Sequence, residues 1–247
     1  AEDIIFMSTP YNYEDVDFLD SLDVPAFKLA SIHVAEPYFI KYVAKKSRPI
    51  ILSTGMASFE DIQISINLLN KHFLKEITIL HCVSKYPTPY VDVNLNIISD
   101  LQKKFDFPVG FSDHTVGIEC ALASVALGAS IIEKHVTLDK NQSGPDHKAS
   151  ADIDEFKQLV KSVRNLEKAL EKSEKKFTKE EIEIRNSARK SIISTCDIQK
   201  NKIITKKHIC FKRPGLGFSP LDINLVIGRR AKKLIGKNRM IRKDDID

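Results

Sequence analysis

Short runs of apolar and β-branched residues alternate along the first two-thirds of the chain with stretches whose apolar positions recur every three or four residues. The runs fall at residues 4–7, 26–29, 49–52, 77–80, 109–111 and 130–132. Ile62, Ile66 and Leu69 exemplify the helical spacing between them. Successive runs begin roughly 20–32 residues apart, the rhythm of repeated βα units around a parallel sheet. Each run ends in polar residues: Ser8 and Thr9, Ser31, Ser53 and Thr54, His81 and Cys82, Ser112 to His114, and Glu133 to His135. Polar chemistry at every strand end is the arrangement of a (β/α)8 barrel, whose active site lies on the C-terminal face. An open dinucleotide-binding sheet would carry GxGxxG after its first strand, and none is present.

Six such units occupy about 170 residues, whereas eight fill roughly 250. The expectation is therefore a barrel short of about two units on its N-terminal side, and much less active than a complete one. Residues 151–170 close this part with a helix striped by Phe156, Leu159, Val163, Leu166 and Leu170. From residue 188 the pattern changes to short strands at 190–193, 197–198, 203–204 and 209–212, then the turn-rich Arg213-Pro214-Gly215-Leu216-Gly217. The predicted domains are 1–171, a charged linker over 172–187 that includes a helix, and a small β-rich domain over 188–247.

Charge sharpens that boundary. Residues 172–247 hold 21 Lys and Arg against 9 Asp and Glu, net +12, while residues 1–171 hold 17 against 24, net −7. The basic segment lacks helix-turn-helix, RNP and finger patterns, so nucleic acid is not the expected partner. No apolar stretch approaches the ~18 residues of a membrane span. Cys82, Cys120, Cys196 and Cys210 are far apart without CxxC, and read as reduced thiols of a cytoplasmic protein.

His114 and His135 end neighbouring strands. Neutral imidazoles so placed can share a divalent cation and leave positions open for substrate oxygen; otherwise each is simply hydrogen-bonded to a neighbour. Histidines alone admit zinc as well as manganese or magnesium. Lys28, also at a strand end, offers a compact positive charge for phosphate or carboxylate. Ser and Thr at these junctions cap helices, and capped helix N-termini favour anions. Lys134 occupies a Schiff-base position for a pyruvate aldolase. Alternation along the strand puts Glu133 and His135 on one face and Lys134 on the other, so Lys134 reads as structural.

The strings FMSTP, FKLAS, PIILSTGM, LHCVSKYPTPYVDVNL, GFSDHTVGIECALASVALGA, IIEKHVTLD, GPDHKAS and KRPGLG occur in this order. Together they resemble the sialic acid synthase family, with a C-terminal antifreeze-like (SAF, β-clip) domain. The resemblance implies a (β/α)8 barrel that condenses phosphoenolpyruvate with an N-acyl mannosamine-type sugar, giving a nine-carbon 2-keto acid and phosphate. It implies that Lys28, Thr9, Ser31, Ser53 and Ser112 hold phosphoenolpyruvate. His114 and His135 would bind manganese, with magnesium or cobalt as alternatives. Tyr86 and Asp146 would lie near the sugar. Arg213 would act across a homodimer with swapped SAF domains. Two further expected substrate-binding residues depart from the family pattern: His33 stands where a sugar-contacting Glu is usual, and Ser84 where many members carry Asn. A lysine Schiff-base aldolase and a non-catalytic sugar- or anion-binding protein are the competing expectations.

Overall fold

The computed structural model describes residues 4–71, 76–171 and 174–247. The chain divides into two compact units, Ala1–Lys172 and Ser173–Asp247.

Five strands form the sheet of the first unit: β1 (Phe27–Leu29), β2 (Ile50–Ser53), β3 (Ile77–Cys82), β4 (Val109–Asp113) and β5 (Ile132–Lys134). All neighbours are parallel and the spatial order is the chain order. A doubly wound sheet reverses its strand order at a switch point; this one winds in a single direction, as an arc of a barrel does. The crossovers carry α2 (Pro37–Ala44), α3 (Phe59–Asn70), the short α4 (Tyr90–Val93) with α5 (Asn96–Lys104), and α6 (Glu119–Ala126). Before them runs α1 (Tyr13–Ser21), and after β5 comes α7 (Ile153–Leu170).

The helices start where side chains satisfy their free N–H groups. Asn12 caps α1 by accepting from the Asp15 N–H, Ser58 and Asp61 form a capping box on α3, and Asp152 and Glu155 form one on α7. Ile62, Ile66 and Leu69 of α3 are buried, as their spacing predicts, in one core with Phe27, Leu29, Ile50, Leu52, Ile77, Ile79 and Phe111.

Residues 4–7 correct the expectation of six strands. They join no ladder among the described residues, and Ile4 and Ile5 are 83% and 74% exposed. An apolar β-branched run becomes a strand only when a neighbour takes up its backbone N–H and C=O groups, and the run itself does not show whether one is there. The stripe of α7 is likewise only partly used: Leu159 is buried, while Phe156 and Leu170 are exposed.

In the second unit α8 (Lys179–Ala188), opened by a Thr178–Glu181 capping box, precedes an antiparallel pair, β6 (Ser191–Ser194) and β7 (Ile209–Lys212). The segments predicted at 197–198 and 203–204 make isolated bridges, Ile198 with Ile235 and Ile203 with Arg230. A four-residue helix, α9 (Ile223–Val226), packs into a core of Ile192, Ile198, Ile204, Val226, Ala231, Ile235, Ile241 and Ile246.

Candidate active site

A cleft of about 490 Å³ opens at the C-terminal ends of β1–β5. Its size suits a small-molecule site. Thr9, Lys28, Ser31, Ser53, Tyr86, Ser112, His114, His135 and Asp146 all line it. Nine residues read from the sequence as site residues are therefore brought together.

One wall is a chain of polar contacts. Lys28 Nζ lies 3.4 Å from Glu133 Oε2, and the Ser112 hydroxyl donates to Glu133 Oε1 at 2.6 Å. Glu133 faces the cleft because strand alternation sets it opposite Lys134. The Lys134 ammonium is 1% exposed and sits 2.9 Å from Asp113 Oδ2, itself 0% exposed. It also donates to the Thr115 carbonyl at 2.6 Å. Lys134 touches the cleft, but its ammonium is committed to these partners.

Beside this wall the backbone of Gly55 comes close. Its N–H donates to Cys82 Sγ at 3.1 Å, and Cys82 Sγ lies 3.3 Å from Ser31 Oγ. A Cβ on Gly55 would fall 2.3 Å from Ser84 Oγ and 2.7 Å from Cys82 Sγ, so only glycine fits. The buried Ser53 hydroxyl has no hydrogen-bond partner among the described residues, and it borders the cleft. A donor held ready without an acceptor is what an incoming anion satisfies.

The adjoining part of the lining is aromatic and basic. The rings of His114 and His135 are 5.3 Å apart, and Tyr86 lies 4.2 Å from the first and 5.6 Å from the second. His114 Nδ1 is 2.7 Å from the Val83 carbonyl. A carbonyl only accepts, so Nδ1 carries the proton and Nε2 presents a lone pair. That lone pair faces Ser112 Oγ at 3.3 Å, whose own proton is given to Glu133. Two acceptors thus face each other with no hydrogen between them, a place a cation satisfies. Burial holds the His114 pKa below the usual imidazole range, His135 adds to this, and the Val83 bond opposes it. Burial likewise raises the Tyr86 phenol, helped by Cys82, Asp146 and Glu133.

These features fit a divalent ion held by two imidazoles, one of them oriented by a backbone carbonyl as metal-bound histidines commonly are. Among the described residues no cluster of three or more His, Cys, Asp or Glu could hold a metal ion, so the remaining positions would fall to substrate and water. Asp146 Oδ2 lies 3.9 Å from His135 Nδ1.

Three predicted residues stand outside the cleft lining. His33 is buried, stacked 4.3 Å from Phe39 and edge-on to Tyr11 at 5.8 Å. Its Nδ1 pairs with Glu36 at 3.2 Å and its Nε2 has no partner among the described residues. The short 3₁₀ turn Ser31–Ala35 carries this position, and the ring packs on Phe39 outside the cleft lining. Ser84 sits against Gly55. Arg213 belongs to the second unit, exposed after β7; the turn following it is fixed by Ser191, which donates to the Pro214 carbonyl at 2.6 Å and accepts from the Gly217 N–H at 2.9 Å. The sequence reading gave no role to Glu133, Tyr11 or Cys82, which also line the cleft. For Glu133 the signal was available, since it shares the strand face of His135.

Residues 1–175 match the NeuB family and residues 189–247 the SAF domain. The chain belongs to the NeuB family. It is 42% identical to an N,N'-diacetyllegionaminic acid synthase of Campylobacter jejuni over 97% of this chain and 72% of that protein. It is 34% identical to a pseudaminic acid synthase of Helicobacter pylori over 99% of this chain and 72% of that one. Among solved structures, an N-acetylneuraminic acid synthetase of Leptospira borgpetersenii in complex with citrate is 36% identical, with a TM-score of 0.69, over 75% of this chain and 66% of that one. In this NeuB-family chain the quoted motifs supply both parts of the cleft lining, and KRPGLG lies in its SAF domain.

Proposed function

We propose that this protein condenses phosphoenolpyruvate with an N-acyl mannosamine-type sugar to give a nine-carbon 2-keto acid and phosphate. Within this reading the five-stranded arc is part of a (β/α)8 barrel. The acceptor is N-acetylmannosamine or a 6-deoxy diacetamido relative, in keeping with the names of the relatives above. One observation carries the reading: a single cleft brings together the Lys28–Glu133–Ser112 chain, a Ser53 hydroxyl with no hydrogen-bond partner among the described residues, and two adjacent imidazoles, one turning its Nε2 lone pair toward Ser112 Oγ.

Lys28 and the hydroxyls of Thr9, Ser31, Ser53 and Ser112 bind the phosphate and carboxylate of phosphoenolpyruvate, whose charge they match without reorganising. Tyr86 and Asp146 orient the sugar. His114 and His135 would hold manganese, with magnesium or cobalt as substitutes, and that ion when bound supplies Lewis-acid polarisation of the sugar aldehyde. C3 of phosphoenolpyruvate attacks the aldehyde carbon with the electron pair of the enol double bond, and the aldehyde oxygen takes up a proton. Water adds at C2 and loses a proton to Glu133, the carboxylate already beside Lys28. The C2–O bond to phosphate then breaks, phosphate leaves with that oxygen and takes up the C2 hydroxyl proton, and C2 becomes the ketone. In the proposed homodimer, Arg213 of one subunit contacts the N-acyl group bound by the other, bringing a net +12 segment to a net −7 one.

The test is phosphate release from phosphoenolpyruvate across a panel of N-acyl mannosamine-type sugars. Release that requires one of these sugars supports the reading. Equal turnover of free pyruvate, or none with any sugar, overturns it.

A further inference from the structure

Beyond β5 the chain continues through His135, Val136 and Thr137, leaves in a loop over residues 138–150, and returns at Ala151. The return is fixed by two backbone bonds: Ala151 N–H to the His135 carbonyl at 2.8 Å and Thr137 N–H to the Ala151 carbonyl at 2.9 Å. Asp146, carried by this loop, reaches His135 at 3.9 Å. The Asp146 carbonyl accepts from the Ala149 and Ser150 N–H groups, both at 3.0 Å, and from the Ser150 hydroxyl at 2.8 Å, and Lys140 pairs with Glu155. These hold the backbone, and the stretch between Thr137 and Asp146 has a further hold.

Thr137 and His147 supply one. Thr137, buried, has its hydroxyl 2.7 Å from His147 Nδ1, 3.0 Å from the Asp139 carbonyl and 3.2 Å from the Asp139 N–H. A hydroxyl has one proton and two lone pairs. The carbonyl can only accept and the amide only donate, so the hydroxyl proton goes to the carbonyl and one lone pair to the amide. The second lone pair faces His147 Nδ1, which therefore carries its proton. All three bonds close only with this tautomer. The ring also packs on Gly144, where a Cβ would come within 2.9 Å of His147 Cδ2. With φ at +148°, Gly144 holds a backbone conformation other residues rarely adopt.

We propose that Thr137 and His147, with the ring seated on Gly144, form a latch that positions Asp146 at His135. His147 is a positioning residue, one place along the chain from the group it holds, and touches no substrate. The proposal rests on the reading of the cleft as the synthase site, so its test has arms that need no turnover.

In the ligand-free full chain, His147→Ala and Thr137→Val should each speed amide hydrogen exchange across residues 138–150, at Ala149 and Ser150 in particular. Nitrogen NMR should find His147 as the Nδ1–H tautomer. Unchanged exchange, or an Nε2–H ring, overturns the latch whatever the protein catalyses. In the synthase assay, each substitution should lower kcat/KM for the sugar roughly tenfold, the scale of outer-shell partners, with KM for phosphoenolpyruvate unchanged. His147→Asn, whose amide N–H can replace the Nδ1 donor, should recover most of the loss, and His147→Gln should not. In an Asp146→Ala background, His147→Ala should change kcat/KM by less than about twofold, because there is no longer a carboxylate to position. The full loss persisting in that background shows that His147 acts independently of Asp146, and overturns the proposal.

Discussion

Lys28 Nζ on β1 and Glu133 Oε2 on β5 are 3.4 Å apart, yet they stand on the two outermost strands of a five-stranded sheet. In a flat sheet four strand spacings would separate their backbones by about 19 Å, more than the two side chains can bridge. The contact therefore requires the sheet to curl. Curling turns a row of strand ends into a concave cleft and brings β1 chemistry onto β5 chemistry.

Lys28→Met should show how much of the reaction depends on that meeting. The protein should stay folded, because Glu133 keeps its Ser112 bond and is partly solvated. kcat/KM for phosphoenolpyruvate should fall about 10²–10³-fold, as when a donor to developing negative charge is removed. Steady-state kinetics alongside a melting curve checks both; activity near that of the unaltered protein would remove Lys28 from the anion site.

Much of this site is legible in the sequence because period-two alternation and strand-end position together assign a face. Strand-end position singles out Lys28, Ser53, Ser112, His114 and His135, and alternation sets Lys134 apart from Glu133 and His135, while the anion-binding roles of Lys28, Ser53 and Ser112 come only from the family resemblance. The rule fails where a residue's fate depends on a partner it cannot name. Residues 4–7 have the composition of a strand without a ladder, and His33 has a polar side chain that a 3₁₀ turn carries inward onto Phe39. Glu133 has the face but not the role, since its partners come from residues 105 and 21 positions earlier in the chain.

Lys134 separates the condensation from a Schiff-base aldolase. Its ammonium is shut in with Asp113, so borohydride in the presence of pyruvate should label no lysine. Lys134→Met should instead cost about 3–5 kcal/mol of stability by leaving Asp113 buried and unpaired. Chemical denaturation and mass spectrometry measure the two; pyruvate-dependent trapping at Lys134 would reverse this assignment.

Acid should loosen the first unit. Burial holds the pKa values of both His81 and His114 below the ordinary imidazole range. The unfolded chain takes up protons near pH 6.5, about the reference value, whereas the folded one does so only at lower pH. Their contribution to stability is then complete above about pH 6.5 and lost as pH falls toward the folded values. His81→Leu should make the melting temperature less dependent on pH between about 5 and 7. An unchanged slope would mean His81 does not titrate with unfolding.

If Arg213 acts across a dimer, mixing inactive partners should restore function. Arg213→Ala and His114→Ala chains, each impaired, should recover part of the activity when their subunits exchange, because one heterodimer site keeps an intact cleft and an intact Arg. Verified exchange with no recovery would confine Arg213 to its own chain.

The most direct measurement follows the oxygen that joins carbon to phosphorus. Phosphoenolpyruvate labelled with ¹⁸O at this bridge is incubated with the protein, manganese and an N-acyl mannosamine-type sugar, and the phosphate is analysed by mass. The account predicts that phosphate appears only with the sugar and carries the label, because the C2–O bond breaks. Label retained in the keto acid, or phosphate released equally without sugar, would contradict it.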